Sequence, residues 1–127
     1  MKRNSVILIP ALNPDKELIQ YIQELKRNGF DDIIVVNDGS SVEHLDIFER
    51  AKQMDCKVLQ HAVNLGKGRA LKNGFNEFLN LYQDNPDILG IITVDSDGQH
   101  AVKDVIQIDD WWKKNKCAEL LLGSRNF

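Results

Sequence analysis

Residues 88–100 read ILGIITVDSDGQH, and this stretch decides how the remaining sequence is interpreted. The apolar run at 88–94 predicts a buried β-strand, which ends in two carboxylates, Asp95 and Asp97. Alternate residues of an extended segment point the same way, so both carboxylates can converge just past the strand, where Gln99 adds a neutral oxygen. Such hard oxygen ligands suit Mg²⁺ or Mn²⁺ together with substrate phosphates. For an isolated Asp-x-Asp, however, a solvated acidic turn is the better interpretation.

Length and composition restrict the class of protein. The chain has 127 residues, which is enough for one domain. Its net charge is −3, so it has no excess of basic residues that would suggest binding to nucleic acid. Cys56 and Cys117 lack metal-site spacing, and we expect reduced thiols, as in a cytoplasmic protein. The apolar run at 6–9 stops at Pro10 without a cleavage site, which argues against secretion. No segment approaches the length that crosses a bilayer.

Four other runs predict further strands. They lie at residues 6–9, 33–36, 56–59 and 120–122, and segments with helical spacing separate them. Uninterrupted apolar strands that alternate with helices are typical of a mostly parallel sheet with helices on both faces. The predicted fold class is therefore α/β.

The predicted helices begin and end at identifiable residues. Asn13 is in position to cap the first helix, with Pro14 at its first position and Gly29 at its end. Ser40 or Ser41 is expected to cap the second helix. The predicted apolar faces comprise Val42, Leu45, Phe48 and Ala51 on the second helix, Leu71, Phe75, Phe78, Leu79 and Tyr82 on the third, and Val102, Val105, Ile106, Asp109 and Trp112 on the last.

A polar or glycine-rich cluster follows each of the five predicted strands, at residues 10–13, 37–40, 64–68, 95–99 and 123–125. Ligands of parallel sheets bind at the carboxyl ends of the strands, so these clusters predict one site. Asp38 can accept a hydrogen bond from a nucleotide base, or it can cap a helix. Lys67 can face a phosphate at the start of a helix, with backbone N–H groups of Gly66 and Gly68 beside it. The loop is not a Walker A motif, and no Gly-x-Gly-x-x-Gly follows the first strand.

Taken in order, these motifs resemble those of the inverting family 2 glycosyltransferases, which have the GT-A fold. The matching stretches are VILIPALN at 6–13, VVNDGS at 35–40, NLGKGRA at 64–70, VDSDGQH at 94–100 and LGSR at 122–125. Within the family, the chain is similar to the polyprenyl-phosphate and dolichyl-phosphate sugar transferases. The resemblance implies a Rossmann-like GT-A fold, with residues 1–127 as the nucleotide-sugar-binding portion of a single domain.

The resemblance also implies roles for individual residues. Asp38 would contact the base, Pro10 and Ala11 would line the nucleoside pocket, and Arg125 would face phosphate. The implied nucleotide-sugar-binding set is Pro10, Ala11, Asn13, Asp38, Gly39, Ser40, Gly66, Lys67, Gly68, Asp95, Ser96 and Arg125, and the implied ligands of Mg²⁺ or Mn²⁺ are Asp95, Asp97 and Gln99.

The partners implied are a UDP- or GDP-sugar donor and a lipid-phosphate or glycan acceptor. Family members carry their catalytic base in a later acceptor half, so the base is expected beyond Phe127 and the chain is apparently truncated. We therefore expect little or no sugar transfer by this chain alone, peripheral association of the full-length protein with the inner face of the membrane, and self-association through an exposed flank.

The sequence departs from the family pattern in places. Asn37 replaces an Asp and removes any carboxylate role there, whereas Leu12 replaces a common Tyr, which we interpret as a packing change. Ala101 stands where proline is frequent.

Three functions are alternatives to a glycosyltransferase. A binding module would hold a nucleotide-sugar without turnover. A nucleotidyltransferase should have a basic, glycine-rich loop after the first strand, where this chain has PALN at 10–13. A receiver-like signalling domain would need an acidic pair at that same position, and none is present.

Overall fold

The structure, a computed structural model, describes residues 2–97 and 101–114, without the side chain of residue 113. Strands and helices alternate along these residues. The elements are β1 (Ser5–Ala11), α1 (Glu17–Arg27), β2 (Ile33–Asp38), a 3-10 turn (Val42–His44), α2 (Leu45–Gln53), β3 (Lys57–His61), α3 (Lys67–Tyr82), β4 (Gly90–Thr93) and α4 (Val102–Lys114).

The four described strands form one parallel sheet in the order β3-β2-β1-β4. The chain first builds outward from β1 to β2 and β3, and then crosses back to place β4 on the other side of β1. The order therefore reverses between β1 and β4, which is where open parallel sheets bind ligands. In register, Ile7 of β1 pairs with Ile33 of β2 and with Ile92 of β4.

Helices cover both faces of this sheet. Side chains of β1 alternate, so Ile7 and Ile9 pack in one core with α1, α2 and α4, whereas Val6 and Leu8 pack in a second core beneath α3. The central strand is buried on both sides, and this explains why its apolar residues run without interruption. The predicted α/β class, with a parallel sheet and helices on both faces, is confirmed.

The first helix does not begin as predicted. Asn13 has φ 49° and its side-chain oxygen accepts a hydrogen bond from the Ser41 N–H at 2.8 Å, so it caps no helix. Helix α1 starts at Glu17, whose N–H donates to Asp15 Oδ1 at 2.9 Å. The N-cap position falls on Lys16, whose side chain makes no capping hydrogen bond, and the Asp15 carboxylate instead accepts from the first N–H of the helix. Gly29, with φ 92°, follows the helix as predicted.

Two residues assigned to apolar helix faces are exposed. Val42 is 80 % exposed because it lies in the 3-10 turn before α2, and Leu79 is 51 % exposed on the outer side of α3. The buried residues of α3 are Ala70 and Gly74, and the predicted Leu71, Phe75, Phe78 and Tyr82 pack against the same core while partly buried. A Cβ on Gly74 would lie 2.3 Å from a terminal methyl of Leu8, so a larger residue there would require the Leu8 side chain to move.

Helix α4 is anchored to the start of β1. Asp109 is fully buried, and its Oδ1 accepts hydrogen bonds from the Ser5 hydroxyl at 2.7 Å and the Asn4 N–H at 3.0 Å. Arg3 adds an ion pair to Asp110 at 2.7 Å. On the same helix, Trp112 is buried against Gly90, where a Cβ would overlap the indole ring.

Several predictions fall outside the described residues, among them the strand at 120–122 and the state of Cys117. Cys56 is buried and forms no disulfide within the described chain, and burial raises the pKa of its thiol to about 11. Among the residues described, no helix has the length and apolar character that a membrane crossing requires.

Candidate functional site

A cleft of about 550 Å³ opens at the carboxyl edge of the sheet, beside the point where the strand order reverses. Its volume lies in the range of small-molecule sites. All four strands contribute through the loops that follow them. The lining residues are Pro10, Ala11, Leu12, Asp38, Asn64, Gly66, Lys67, Ala70, Asp95, Ser96 and Asp97.

Asp38 forms the buried wall of the cleft. It ends β2 and is only 4 % exposed, because the loop after β3 folds over it. Its Oδ1 accepts hydrogen bonds from His61 Nδ1 at 2.8 Å and the Leu65 N–H at 2.9 Å, and its Oδ2 accepts one from the Gly66 N–H at 3.0 Å. Burial alone would raise the pKa of Asp38, but these hydrogen bonds outweigh burial and hold the pKa below its ordinary value.

His61 is a residue that the sequence analysis missed. It ends β3 and is buried, and its Nδ1 must donate because a carboxylate only accepts. Its Nε2 lies 2.7 Å from Asn73 Nδ2 on α3, which is a donor. The available signal was the position of His61 just beyond the predicted strand at 56–59, at the edge of the sheet where the other candidate residues lie.

Three predicted site residues join neighbouring loops and do not line the cleft: Asn13, Gly39 and Ser40. Ser40 Oγ accepts a hydrogen bond from the Asn13 N–H at 2.9 Å, which joins the loops after β1 and β2. Gly39 has φ 77°, and a Cβ there would lie 2.2 Å from the backbone of Val63, so the loops after β2 and β3 touch. Asn37 Oδ1 accepts from the Ser40 N–H at 2.9 Å, a role that needs only an oxygen.

The glycine-rich loop differs in part from its prediction. The Gly66 N–H, which we expected to face a phosphate, donates to Asp38 and to Asn64 Oδ1 at 2.9 Å. Gly66 itself still lines the cleft, with φ 95°, immediately before α3 begins at Lys67. Gly68, in the first turn of α3, does not line the cleft. Leu12, which we interpreted as a packing change, is a half-exposed wall of the cleft.

Opposite charges face each other across the cleft. Lys67 Nζ lies 3.0 Å from Asp95 Oδ1, and the Asp95 side chain is 23 % exposed. Ser96 and Asp97 continue the same turn, with Asp97 exposed. Within the described ranges, no group of three or more His, Cys, Asp or Glu side chains could hold a metal ion. Two carboxylates, one of them already beside a cation, nevertheless fit Mg²⁺, which commonly takes only one or two carboxylates plus substrate phosphates.

Two predicted residues, Gln99 and Arg125, lie outside the described residues. The remaining predicted residues are brought to one edge of the sheet. A parallel sheet with its ligand cleft where the strand order reverses defines a Rossmann-like α/β domain. The family model described as glycosyl transferase family 2 matches residues 6–120, and the chain therefore belongs to this family. The resemblance found in its motifs is confirmed.

Curated relatives come from methanogenic archaea. The UDP-N-acetylglucosamine–dolichyl-phosphate N-acetylglucosaminyltransferase of Methanococcus voltae is 29% identical over 133 residues, covering 94% of this chain and 51% of that protein. An uncharacterized protein of Methanocaldococcus jannaschii is 39% identical over 102 residues, covering 80% of this chain and 39% of that protein. The chain thus spans about half of the first of these relatives and about two fifths of the second. No solved structure matches it.

Proposed function

We propose that this chain binds a nucleoside-diphosphate sugar and serves an inverting, metal-dependent transfer of the sugar to an acceptor. The observation that carries the proposal is the meeting of Asp38, Lys67 and Asp95, from three different strand ends or loops, in one cleft where the strand order reverses. Membership of family 2 supports the same reaction. In this view, residues 1–127 supply the nucleotide-sugar-binding portion of the domain.

The base would bind near Asp38. An ionised carboxylate has about four lone-pair positions, and the described contacts of Asp38 use three of them. The fourth, on Oδ2, would accept a hydrogen bond from a base N–H, and Pro10 and Ala11 line the same cleft. Uracil and guanine both present such an N–H, and we propose a UDP- or a GDP-sugar as the donor.

The diphosphate would lie between Lys67 and the acidic turn. The Lys67 ammonium and the N-terminus of α3 supply positive charge on one side. Asp95 and Asp97, with Gln99, would hold Mg²⁺ or Mn²⁺ on the other side, and such an ion supplies Lewis-acid stabilisation of a diphosphate leaving group. The acceptor oxygen would bond to the anomeric carbon as the bond to the diphosphate breaks, and its proton would pass to a base.

We propose a lipid phosphate as the acceptor, with a glycan as the alternative. The M. voltae relative is named for transfer to dolichyl phosphate, and this supports the lipid. A lipid acceptor would bring the full-length protein to the cytoplasmic face of a membrane as a peripheral protein. We also propose that the chain self-associates; light scattering that finds only monomers at high concentration would contradict this.

Calorimetric titration tests the binding site. UDP and GDP are each titrated into the native protein with Mn²⁺ and with EDTA, and the same titrations are made on Asp97→Ala and Asp87→Ala. Asp87 is an exposed carboxylate at the opposite end of β4, which makes it a matched control. We expect metal-dependent binding of one nucleotide that is lost only in Asp97→Ala. Failure of the native protein to bind either nucleotide would overturn the proposal.

A binding module without turnover is the second candidate. The chain matches 51% and 39% of the length of two curated relatives, which is the observation that favours it. Incubation of the purified chain with donor, Mn²⁺ and dolichyl phosphate separates the two. Robust release of nucleoside diphosphate would exclude the binding module.

A further inference from the structure

We propose that His61 is a positioning residue: through Asp38 it fixes the loop at 64–66 and thereby the place of Lys67 in the cleft. His61 does not line the cleft and reaches it only through other residues. The effect on nucleotide affinity rests on the proposed function, whereas the effect on the loop does not.

A continuous chain of hydrogen bonds connects α3, β3 and β2. Asn73 of α3 donates to His61 Nε2 at 2.7 Å, and His61 Nδ1 donates to Asp38 Oδ1 at 2.8 Å. Both nitrogens of the buried imidazole are used, so the ring has one defined orientation. Strand β3, which carries His61, is at the edge of the sheet, and this chain of bonds ties its end to β2 and α3.

Further hydrogen bonds connect Asp38 to the loop that carries Lys67 into the cleft. A carboxylate held at Oδ1 by His61 has a fixed plane, and this plane aims its oxygens at the N–H groups of Leu65 and Gly66. Gly66 immediately precedes α3, and Lys67 is the first residue of that helix. The Lys67 ammonium then reaches Asp95 across the cleft at 3.0 Å. Loss of the imidazole therefore frees the carboxylate plane and loosens the loop that sets Lys67.

The alternative is a histidine that only stabilises the core. Both roles predict some loss of stability, but only the positioning role predicts a local effect on the loop that depends on which ring nitrogen is replaced. Asn places its amide nitrogen near the site of Nδ1 and can still donate to Asp38. Gln extends its amide toward the site of Nε2 and keeps only the contact with Asn73.

The experiment compares His61→Asn, His61→Gln, His61→Leu and Asn73→Ala with the native protein. Amide hydrogen exchange is measured by NMR at Leu65 and Gly66 without ligand, and amides of Ile7 and Ile9 in the central strand report global opening. We expect exchange at both loop amides to rise at least about tenfold relative to the central strand in His61→Gln and His61→Leu. His61→Asn should stay within about threefold of native, and Asn73→Ala should lie between.

Nucleotide affinity gives the second readout. For the nucleotide that the native protein binds, His61→Gln should weaken binding at least about tenfold, and His61→Asn should restore it to within about threefold. Unchanged loop exchange in His61→Gln, or equal effects of Asn and Gln, would overturn the positioning role. If the native protein binds no nucleotide, the proposed function fails, and the exchange data alone decide the role of His61. If His61→Leu does not fold, the other three variants decide.

Discussion

Two strands of the sheet lead into carboxylates that make different contacts. Asp38, the last residue of β2, is 4 % exposed and accepts three hydrogen bonds from neighbouring protein groups. Asp95, after β4, has a 23 % exposed side chain that pairs with the half-exposed Lys67 across the cleft. At the same edge of the sheet, Asp38 is therefore bonded mainly to the protein's own loops, whereas Asp95 faces the open cleft.

Burial decides between the two uses. A buried carboxylate must be satisfied by the protein, and in return it fixes the loops that satisfy it. A partly exposed carboxylate gains little from its ion pair, since water already solvates both charges. Asp95 can therefore exchange its lysine for a ligand at small free-energy cost, whereas Asp38 cannot give up its partners without loosening the loop at 64–66.

The largest expected difference is between two glycines near the cleft, Gly39 after β2 and Gly68 at the start of α3. Gly39→Ala should lower the free energy of unfolding by about 3–5 kcal/mol, because φ is 77° and the new Cβ would overlap the backbone of Val63. Gly68→Ala meets nothing within 4 Å and should change the free energy by less than about 1 kcal/mol, in the stabilising direction. Urea denaturation of both variants measures the contrast, and equal losses would contradict it.

Truncation of the two carboxylates should give a smaller contrast. Asp38→Ala leaves the buried His61 Nδ1–H and the N–H groups of Leu65 and Gly66 without an acceptor, so we expect a loss of about 2–4 kcal/mol. Asp95→Ala should cost less than about 1 kcal/mol. The reverse order in chemical denaturation would show that the framework lies on the β4 side.

Lowering the pH should reduce the free energy of unfolding partly through protonation of Asp38. Its pKa in the folded protein lies below the ordinary value of 3.8, because its hydrogen bonds outweigh the opposing effect of burial. A carboxylate with a lowered pKa contributes stability above its unfolded pKa and loses that contribution as the pH falls through the folded pKa. From neutral pH to about pH 3, the native protein should therefore lose more unfolding free energy than Asp38→Asn. Parallel losses in both proteins would refute this assignment.

The smallest expected effect is that of Lys67 on stability. Lys67→Gln should change the free energy of unfolding by no more than about 1 kcal/mol, as should Lys52→Gln, which breaks the exposed pair with Glu49. Nucleotide affinity should fall only in Lys67→Gln, and that fall should shrink as salt rises from about 0.1 M to about 1 M. A loss of affinity in Lys52→Gln would point to non-specific attraction of charge.

The sheet could be predicted from sequence because its signal is local. A strand buried on both faces needs an unbroken apolar run, and residues 6–9, 33–36 and 88–94 supply three such runs. The candidate site could be predicted as well, since parallel strands bring their carboxyl ends to one edge. Pro10, Asp38, Lys67 and Asp95 line the cleft for this reason.

The sequence-based assignments were wrong or incomplete where contacts between residues far apart in the sequence determine the structure. Asn13 has the local signature of a helix cap, but the loop after β2 lies beside it and takes its side chain. The role of His61 could not be predicted from its own segment, because it requires β3 to lie next to β2, and no single segment determines the strand order. The Gly66 N–H was assigned to a phosphate for the same reason, without knowledge that Asp38 lies beneath it.

The contact of Asp109 with the beginning of β1 also has a consequence for synthesis of the protein. Asn4 and Ser5 bond to a residue 105 and 104 positions further along the chain, and β4, the second neighbour of β1, also comes late. On the ribosome, β1, β2 and β3 emerge first and leave one side of the central strand bare. Contacts between residues so far apart in sequence form slowly, and until they form the unpaired edge of β1 favours aggregation. The nascent chain therefore stays at risk until α4 has emerged.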